Sequence, residues 1–398
     1  MDNKTLRFGW LLLLPPLSLV LYGCPGGSGT AALGTAKTTP RYAGPVLLQQ
    51  STFDVLAGDS GPSIYHLGKT IAASSVTVGS GLALAYWPIG TGPAIAPVTL
   101  VPASASLNAP TFVAVNQHDQ AVSSDGRVWT NLTSSSPSTI QLSSSFTLRS
   151  IDSAGVVSGS VGAPPQAGVP TIWLPGQTAP TFLKLPAGTA SGFAVGSNAS
   201  GIVIGSAFGE GTALDGFIWP SPSMAPVACV IPGTNIPATP EFINDAGTIL
   251  AHYQSADGVD HNVVWSLNQP NPTPVDIGTI SGTLDARAMN SSGQVVGDTG
   301  TFVDIGEGRD FGGVGTIHAF FWDPVSRKIQ DLNYLIPPNS GWVLNAAVDI
   351  NDDGVIRVSG TFNGVGAECL LLPLSGRSAG KPAYRLAPGP AARVPAAR

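Results

Sequence analysis

The polar and apolar positions of this chain recur with a long period. A turn-like pattern, Asn/Asp-x-x-Gly followed by an aliphatic pair, begins at Asp152, Asn198, Asn244 and Asn290, each start 46 residues after the last. Its glycines are Gly155, Gly201, Gly247 and Gly293; a later copy runs Asn351 to Gly354, and a degenerate one runs Asn116 to Asp119. A second landmark follows about 21 residues downstream, an apolar run ending in tryptophan: Trp173, Trp219 and Trp265, again 46 apart, and Trp322. Trp87 and Trp129 end similar runs earlier, and Leu371 takes the place in the last copy.

Each unit predicts four short antiparallel strands. Ala286–Met289 reads as a strand. Asn290–Gly293 reads as a hairpin turn, because Asn tolerates a left-handed backbone and Gly adopts positive φ without steric cost. Gln294–Gly297 returns. His318–Trp322 is continuously apolar after its first residue, as a strand buried on both faces should be. Lys328–Leu332 alternates. Four strands in about 46 residues match one blade of a β-propeller. The seven landmarks predict an all-β fold of about seven blades, with six as the alternative if the weak first unit around Gly68 folds otherwise. The last repeat, Ala347–Leu374, supplies three strands, and the apolar segment Val46–Gln49 has no other assignment, so it is expected to complete that blade.

The segments Ala286–Gly297 and His318–Trp322 resemble the HAF repeat, a family of bacterial extracellular repeats typified by INDxGxVVG and HAFLW. The resemblance is good in residues 284–374, fair in 150–283 and weak in 46–149. It implies an exported, repetitive β-protein and carries no catalytic residues to transfer.

The first residues change the picture from fold to location. Lys4 and Arg7 precede an apolar stretch, Phe8–Tyr22, and then Leu21-Tyr22-Gly23-Cys24. This resembles the bacterial lipobox, with a departure at Tyr22, where a small residue is usual. The resemblance implies a signal peptide over 1–23 and diacylglycerol on Cys24. A spanning helix needs roughly 20 apolar residues, and this stretch is shorter and contains Pro15-Pro16, so a transmembrane anchor fits poorly. Residues 24–44, rich in Gly, Ser, Thr, Ala and Pro, read as a lipidated cysteine followed by a flexible tether. Pro25 stands where the inner-membrane retention signal has Asp, which implies an outer-membrane lipoprotein of the cell envelope.

Composition fits many strands joined by turns: 49 Gly, 35 Pro and 11% charged residues. Residues 46–375 hold 9 basic and 23 acidic side chains, a balance of −14. Such a body excludes nucleic acid as the main partner, since phosphate binding requires a basic face. The body is expected to span 45–375. The tail, 376–398, has five basic residues and no acid and reads as disordered. Cys229 and Cys369 lie in well separated repeats and read as small buried residues.

The candidate chemistry is thin. There is no phosphate-binding glycine loop, no nucleophile elbow and no His-Glu-x-x-His. Ser123–Trp129 resembles the Asp-box of sialidase-type propellers, but is one residue short and occurs once; in that family the box is a structural turn. His261 and His318 stand four residues before a landmark Trp, where Asp125 and Asp215 stand in other repeats, and this reads as a repeated hydrogen bond. His252, Asp257, Asp260 and His261 are metal-ligand types in one short stretch, better read as a solvated hairpin. An insertion, Thr301–Thr316, departs from the repeat and carries Asp304, Glu307, Arg309 and Asp310, a candidate binding loop. The expected function is a non-catalytic, membrane-anchored binding or scaffold module for a protein or glycan, without a cofactor. The alternatives are a hydrolase or lyase acting on envelope polysaccharide, which needs carboxylates converging on the channel, and a purely structural envelope protein.

Overall fold

A computed structural model describes residues 40–50, 66–78, 81–89, 98–104, 110–134, 137–143, 145–162, 168–209, 215–280, 283–300 and 317–374. These form seven four-stranded antiparallel sheets. The first strands are His66–Leu67, Phe112–Val115, Phe146–Ile151, Ser191–Ser197, Thr239–Ile243, Thr283–Met289 and Trp342–Ile350. Each touches the first strand of the blades on either side, so the seven form a closed inner ring around an axis. The chain is a seven-bladed β-propeller. The six-blade alternative falls, because the weak first unit forms a complete blade from His66 to Ser104.

Blade 6 shows how the repeat works. Its strands are Thr283–Met289, Val295–Gly300, His318–Asp323 and Lys328–Asp331, hydrogen-bonded in sequence order. Gly293 turns the first hairpin at φ 74°, and Gly155, Gly201, Gly247 and Gly354 do the same between 73° and 84°. Where blade 2 lacks the glycine, Asp119 takes φ 56° instead. The glycine after the aliphatic pair has another reason. The first strand of blade 6 bulges between Ala286 and Ala288, directly opposite Gly297. A Cβ at Gly297 would lie 2.0 Å from the carbonyl oxygen of Asp285, so only glycine fits there.

The interior is divided among the blade interfaces. Along each third strand, neighbouring residues face opposite blades, as the pleat dictates. Trp173 packs with Val122, Val128 and Leu148 of and beside blade 2, whereas Ile172 packs with Val203 and Trp219 of blade 4. Trp129, Trp265 and Trp322 likewise pack against the preceding blade, and Trp87 packs against blade 7. Leu371 does so in blade 7, beside Val296 and Phe321. All six tryptophans are at most 5% exposed. Burying a side chain of this kind is worth about 1.5–3 kcal/mol, so each interface has its own hydrophobic anchor.

The ring closes with a strand from the other end of the body. Val46–Gln50 pairs antiparallel with Val365–Leu371 and supplies the outer strand of blade 7, with Val46 opposite Leu370 and Leu47 opposite Cys369. The folded body begins earlier than composition suggested. Residues 24–44 were expected to be tether throughout, but Tyr42 bridges to Pro373, donates its N–H to the Leu335 carbonyl and is 2% exposed among residues of blades 6 and 7. Its apolar ring plugs the outer gap between those blades. Cys229 and Cys369 are buried free thiols, both pushed up by burial, Cys229 to about 12.

Candidate functional site: the inner wall of the ring

The first hairpin turns gather at one end of the axis. There a belt of hydrogen bonds links every blade to the next. The amide of Asn290 shows the device: its oxygen accepts from Ser292 and Gln294 N–H at 3.1 and 3.0 Å, and its Nδ2 donates to the Asn351 carbonyl at 3.1 Å. Asn116, Asn198, Asn244 and Asn351 reach the carbonyls of Asp152, Asn244, Asn290 and Gly68 in the same way. Only a residue with both acceptor and donor can cap its own turn and hold its neighbour. Asp152 has no donor, and Ser197 bridges that interface by donating to Asp152 Oδ2 at 2.6 Å. Thr70 N–H and hydroxyl close the last gap, onto Asp119. The belt pinches the axis: Ser153 of blade 3 donates to Asp245 of blade 5, and Asp352 N–H of blade 7 donates to Gln117 of blade 2, each pair skipping a blade.

Beyond the belt, the bulges shape the wall. Blades 2 to 7 all carry one in the first strand. The residues they push out of the ladder three before each turn are Val113, Arg149, Val195, Glu241, Arg287 and Val348, blade 7 having a second bulge at Asn345, and Arg149, Val195, Glu241 and Arg287 are 46 apart. Bulges re-aim side chains, and here they do so on the strand that borders the axis.

Blades 5 and 6 concentrate charge on this wall. Glu241 Oε1 lies 2.9 Å from His252 Nδ1. Arg287 Nη2 lies 3.0 Å from Asp285 Oδ2, while its Nε donates to Asp298, which is 3% exposed. The Glu241 hydrogen bond raises His252 above the usual imidazole range against its partial burial, with Asp260 and Asp285 adding to the pull. Burial raises Asp298, opposed by Arg287. Desolvation would lower Arg287, but Asp298 and Asp285 outweigh it. In blade 3, Arg149 lies 3.8 Å over the Phe193 ring, and burial lowers its guanidinium.

The residues singled out from sequence fall in several places. His261 Nδ1 lies 2.7 Å from Asp276, and His318 Nδ1 2.7 Å from Asp331, so the histidine before the third-strand Trp faces an aspartate on the fourth strand of its own blade. The four metal-ligand types in blade 5 do not converge. His252 turns to Glu241, Asp257 to Ser255, Asp260 to Gln254 and His261 to Asp276. Among the described residues no three such groups gather. Ser123–Trp129 is a second hairpin turn with Gly126 at φ 83°, its Asp125 accepting from Ser123 and Arg127. Cys24, and the candidate loop residues Asp304, Glu307, Arg309 and Asp310, lie outside the described residues. The loop's connection leaves from Gly300, two residues past Asp298, and therefore from the end of the ring opposite the belt. The bulge residues were missed in the sequence; the available signal was a position three before each turn that varies while its surroundings repeat. A crevice of about 40 Å³ between blades 2 and 3, beside Gln120 and Trp173, has room for little more than a water.

No family model matches the chain, and no curated protein matches it. Solved structures to which it is similar include the β-propeller domain of the Trilobed protease from Pyrococcus furiosus (10% identity, TM-score 0.48, covering 78% of this chain and 94% of that one). Others are the putative TolB from Agrobacterium tumefaciens (10%, 0.42, 70% and 95%) and the WD40 domain of Toxoplasma gondii coronin (10%, 0.40, 83% and 84%). The class that the strand order defines is a seven-bladed propeller whose last blade is completed by an N-terminal strand.

Proposed function

We propose that this chain is an exported lipoprotein of the bacterial envelope, held by lipid on Cys24, whose propeller binds a protein or glycan partner without transforming it. One observation carries the reading. The repeat keeps its turn glycines, its Asn belt and its tryptophans, yet the bulge position on the inner wall changes from Arg149 to Val195, Glu241 and Arg287. The bulge recurs in each of these blades, while Arg149, Val195 and Glu241 succeed one another in it without altering the strand pairing. A wall that is specified blade by blade above a pinched end is suited to recognition from the open end, where the Thr301–Thr316 connection also leaves. Propellers offer such a face because loops on a rigid ring can vary at little cost to the fold.

The test is capture from envelope extracts and a glycan array, using the parent and Arg149→Gln. Arg149 is exposed and the substitution removes its contact with the Phe193 ring, so stability should change by no more than about 1 kcal/mol. Loss of a hot-spot cation weakens binding about tenfold or more. Unchanged capture by Arg149→Gln and by Glu241→Gln would remove the inner wall from the binding site. The hydrolase or lyase reading has one supporting observation, that Glu241, His252, Asp285 and Asp298 share two adjacent blades. Against it, the carboxylates face cations. Product release from envelope polysaccharide that disappears in Glu241→Gln would replace binding with catalysis.

A further inference from the structure

The two ends of the folded body leave it side by side. Tyr42 bridges to Pro373, and Leu374 N–H donates to the Arg41 carbonyl. Pro373 follows the third strand of blade 7 and packs against the first hairpin turn of that blade, where a Cβ on Gly354 would meet it at 3.4 Å. Both chain ends therefore lie at the belt end of the ring, away from the open end.

The neighbouring surface has an uncommon composition. The hairpin between the third and fourth strands of blade 6 points out from the same end. Its tip holds Val325, 91% exposed, followed by exposed Arg327 and Lys328. Asp323 closes the hairpin by accepting from Val325 and Ser326 N–H at 3.0 and 2.9 Å. Arg41 joins this hairpin to the chain ends: its guanidinium lies 4.0 Å from Asp323 and 4.8 Å over the Phe321 ring. Leu374, 59% exposed, adds a second apolar side chain where the chain departs. Beyond it, residues 376–398 carry Arg377, Lys381, Arg385, Arg393 and Arg398 with no acid. In a body of net negative charge, three basic side chains, Arg41, Arg327 and Lys328, and a fully presented valine lie beside both chain ends.

We propose that this corner, Arg41, Val325, Arg327, Lys328 and Leu374, is a docking surface for an anionic phospholipid membrane. This rests on the reading of Cys24 as the lipid anchor, which lies only 17 residues before Arg41. A single lipid-borne attachment is strengthened by a basic patch, and Lys and Arg beside an anionic surface each add about fivefold to binding. Val325 enters the headgroup region while Arg327 and Lys328 meet phosphates. This corner of the belt end then meets the membrane, and the open end, with the variable wall, lies on the far side of the ring.

Cys229 and Cys369 are buried, and a lipid-bearing Cys24 is a thioether without a free thiol, so a cysteine introduced at the surface can be labelled selectively in the chain isolated from membranes. The chain isolated from membranes is labelled with an environment-sensitive dye at Val325→Cys, or at Val259→Cys on the opposite end, and reconstituted in phosphatidylglycerol–phosphatidylcholine vesicles. The dye at 325 should shift to shorter wavelength and be quenched by lipid-borne quencher; the dye at 259 should report water. The signal at 325 should fall in pure phosphatidylcholine and in Arg327→Gln/Lys328→Gln. A dye at 325 that reports water in anionic vesicles, or equal responses at both positions, would overturn the docking surface. Acyl labelling of Cys24 is scored separately: its absence with a retained signal at 325 removes the lipoprotein reading and leaves the surface standing.

Discussion

Asp349 is a carboxyl held at the seam between the last blade and the first. Its Oδ2 accepts from Leu67 N–H at 2.7 Å and its Oδ1 from Ile350 N–H at 2.8 Å. Burial raises it to about 6 against those hydrogen bonds and the nearby Arg357. A raised carboxyl binds its proton more tightly in the fold than in the unfolded chain. Its contribution to stability is therefore full below the ordinary carboxylate value and is lost as pH rises through about 6. The slope can reach about 1.4 kcal/mol per pH unit between about 4 and 6. Asp349→Asn keeps an acceptor and removes the titration. The stability of the parent relative to this variant should fall across that window in denaturant titrations. A constant difference from pH 4 to 6 would show that the seam carboxyl does not titrate there.

At the scale of the element, the first hairpin turn does two jobs with one residue. Asn244 Oδ1 accepts from Thr248 N–H at 2.9 Å, and its Nδ2 donates to the carbonyls of Asn290 and Ser291, both at 3.1 Å. Asn244→Ala leaves buried carbonyls without a donor and should cost about 1–3 kcal/mol. Asn268→Ala, one loop away, removes an exposed hydrogen bond to Ala246 and should stay within about 0.5 kcal/mol. Comparable melting of the two variants would mean that the belt adds nothing beyond the turns. The turns themselves were legible: Asn-x-x-Gly before an aliphatic pair is a local signal, and its glycines have the positive φ that it implies. The reach of the Asn amide to the next blade was not, because its acceptor is 36 or more residues away and is placed only when the blades stack. The glycine of Val-Val-Gly297 was visible as part of a motif, while its reason, the bulge opposite it, depends on strand register.

For the whole molecule, closure is decided by five residues. Val46–Gln50 gives blade 7 its outer strand and covers Val365–Leu371, which would otherwise be an open edge. It also ties the start of the body to its end. Deleting residues 45–50 should lower the melting temperature far more than deleting 378–398, which lie outside the described body. Equal and small effects would mean that the ring holds without this strand. The apolar run at 46–49 could be matched to a blade lacking a strand by counting alone, which is why this long-range pairing was accessible from sequence.

Periodicity by itself indicated about seven blades, with six left open until the first unit proved a complete blade, and it marked the four strands of a unit, the turn glycines and the buried tryptophans. These follow from short-range rules: a two-residue side-chain period, a steric preference at positive φ and the need to cover apolar faces. The tertiary structure alone decided which residues meet around the axis. Arg149, Glu241 and Arg287 look like ordinary polar residues of a strand until a register shift places them on the inner wall. Arg41 and Tyr42 sit in sequence of tether composition, and they belong to the body because the gap between blades 6 and 7 accepts an aromatic ring there. Contacts of that kind depend on the shape of a space formed by distant segments, and no local pattern of hydrophobic and polar positions encodes it.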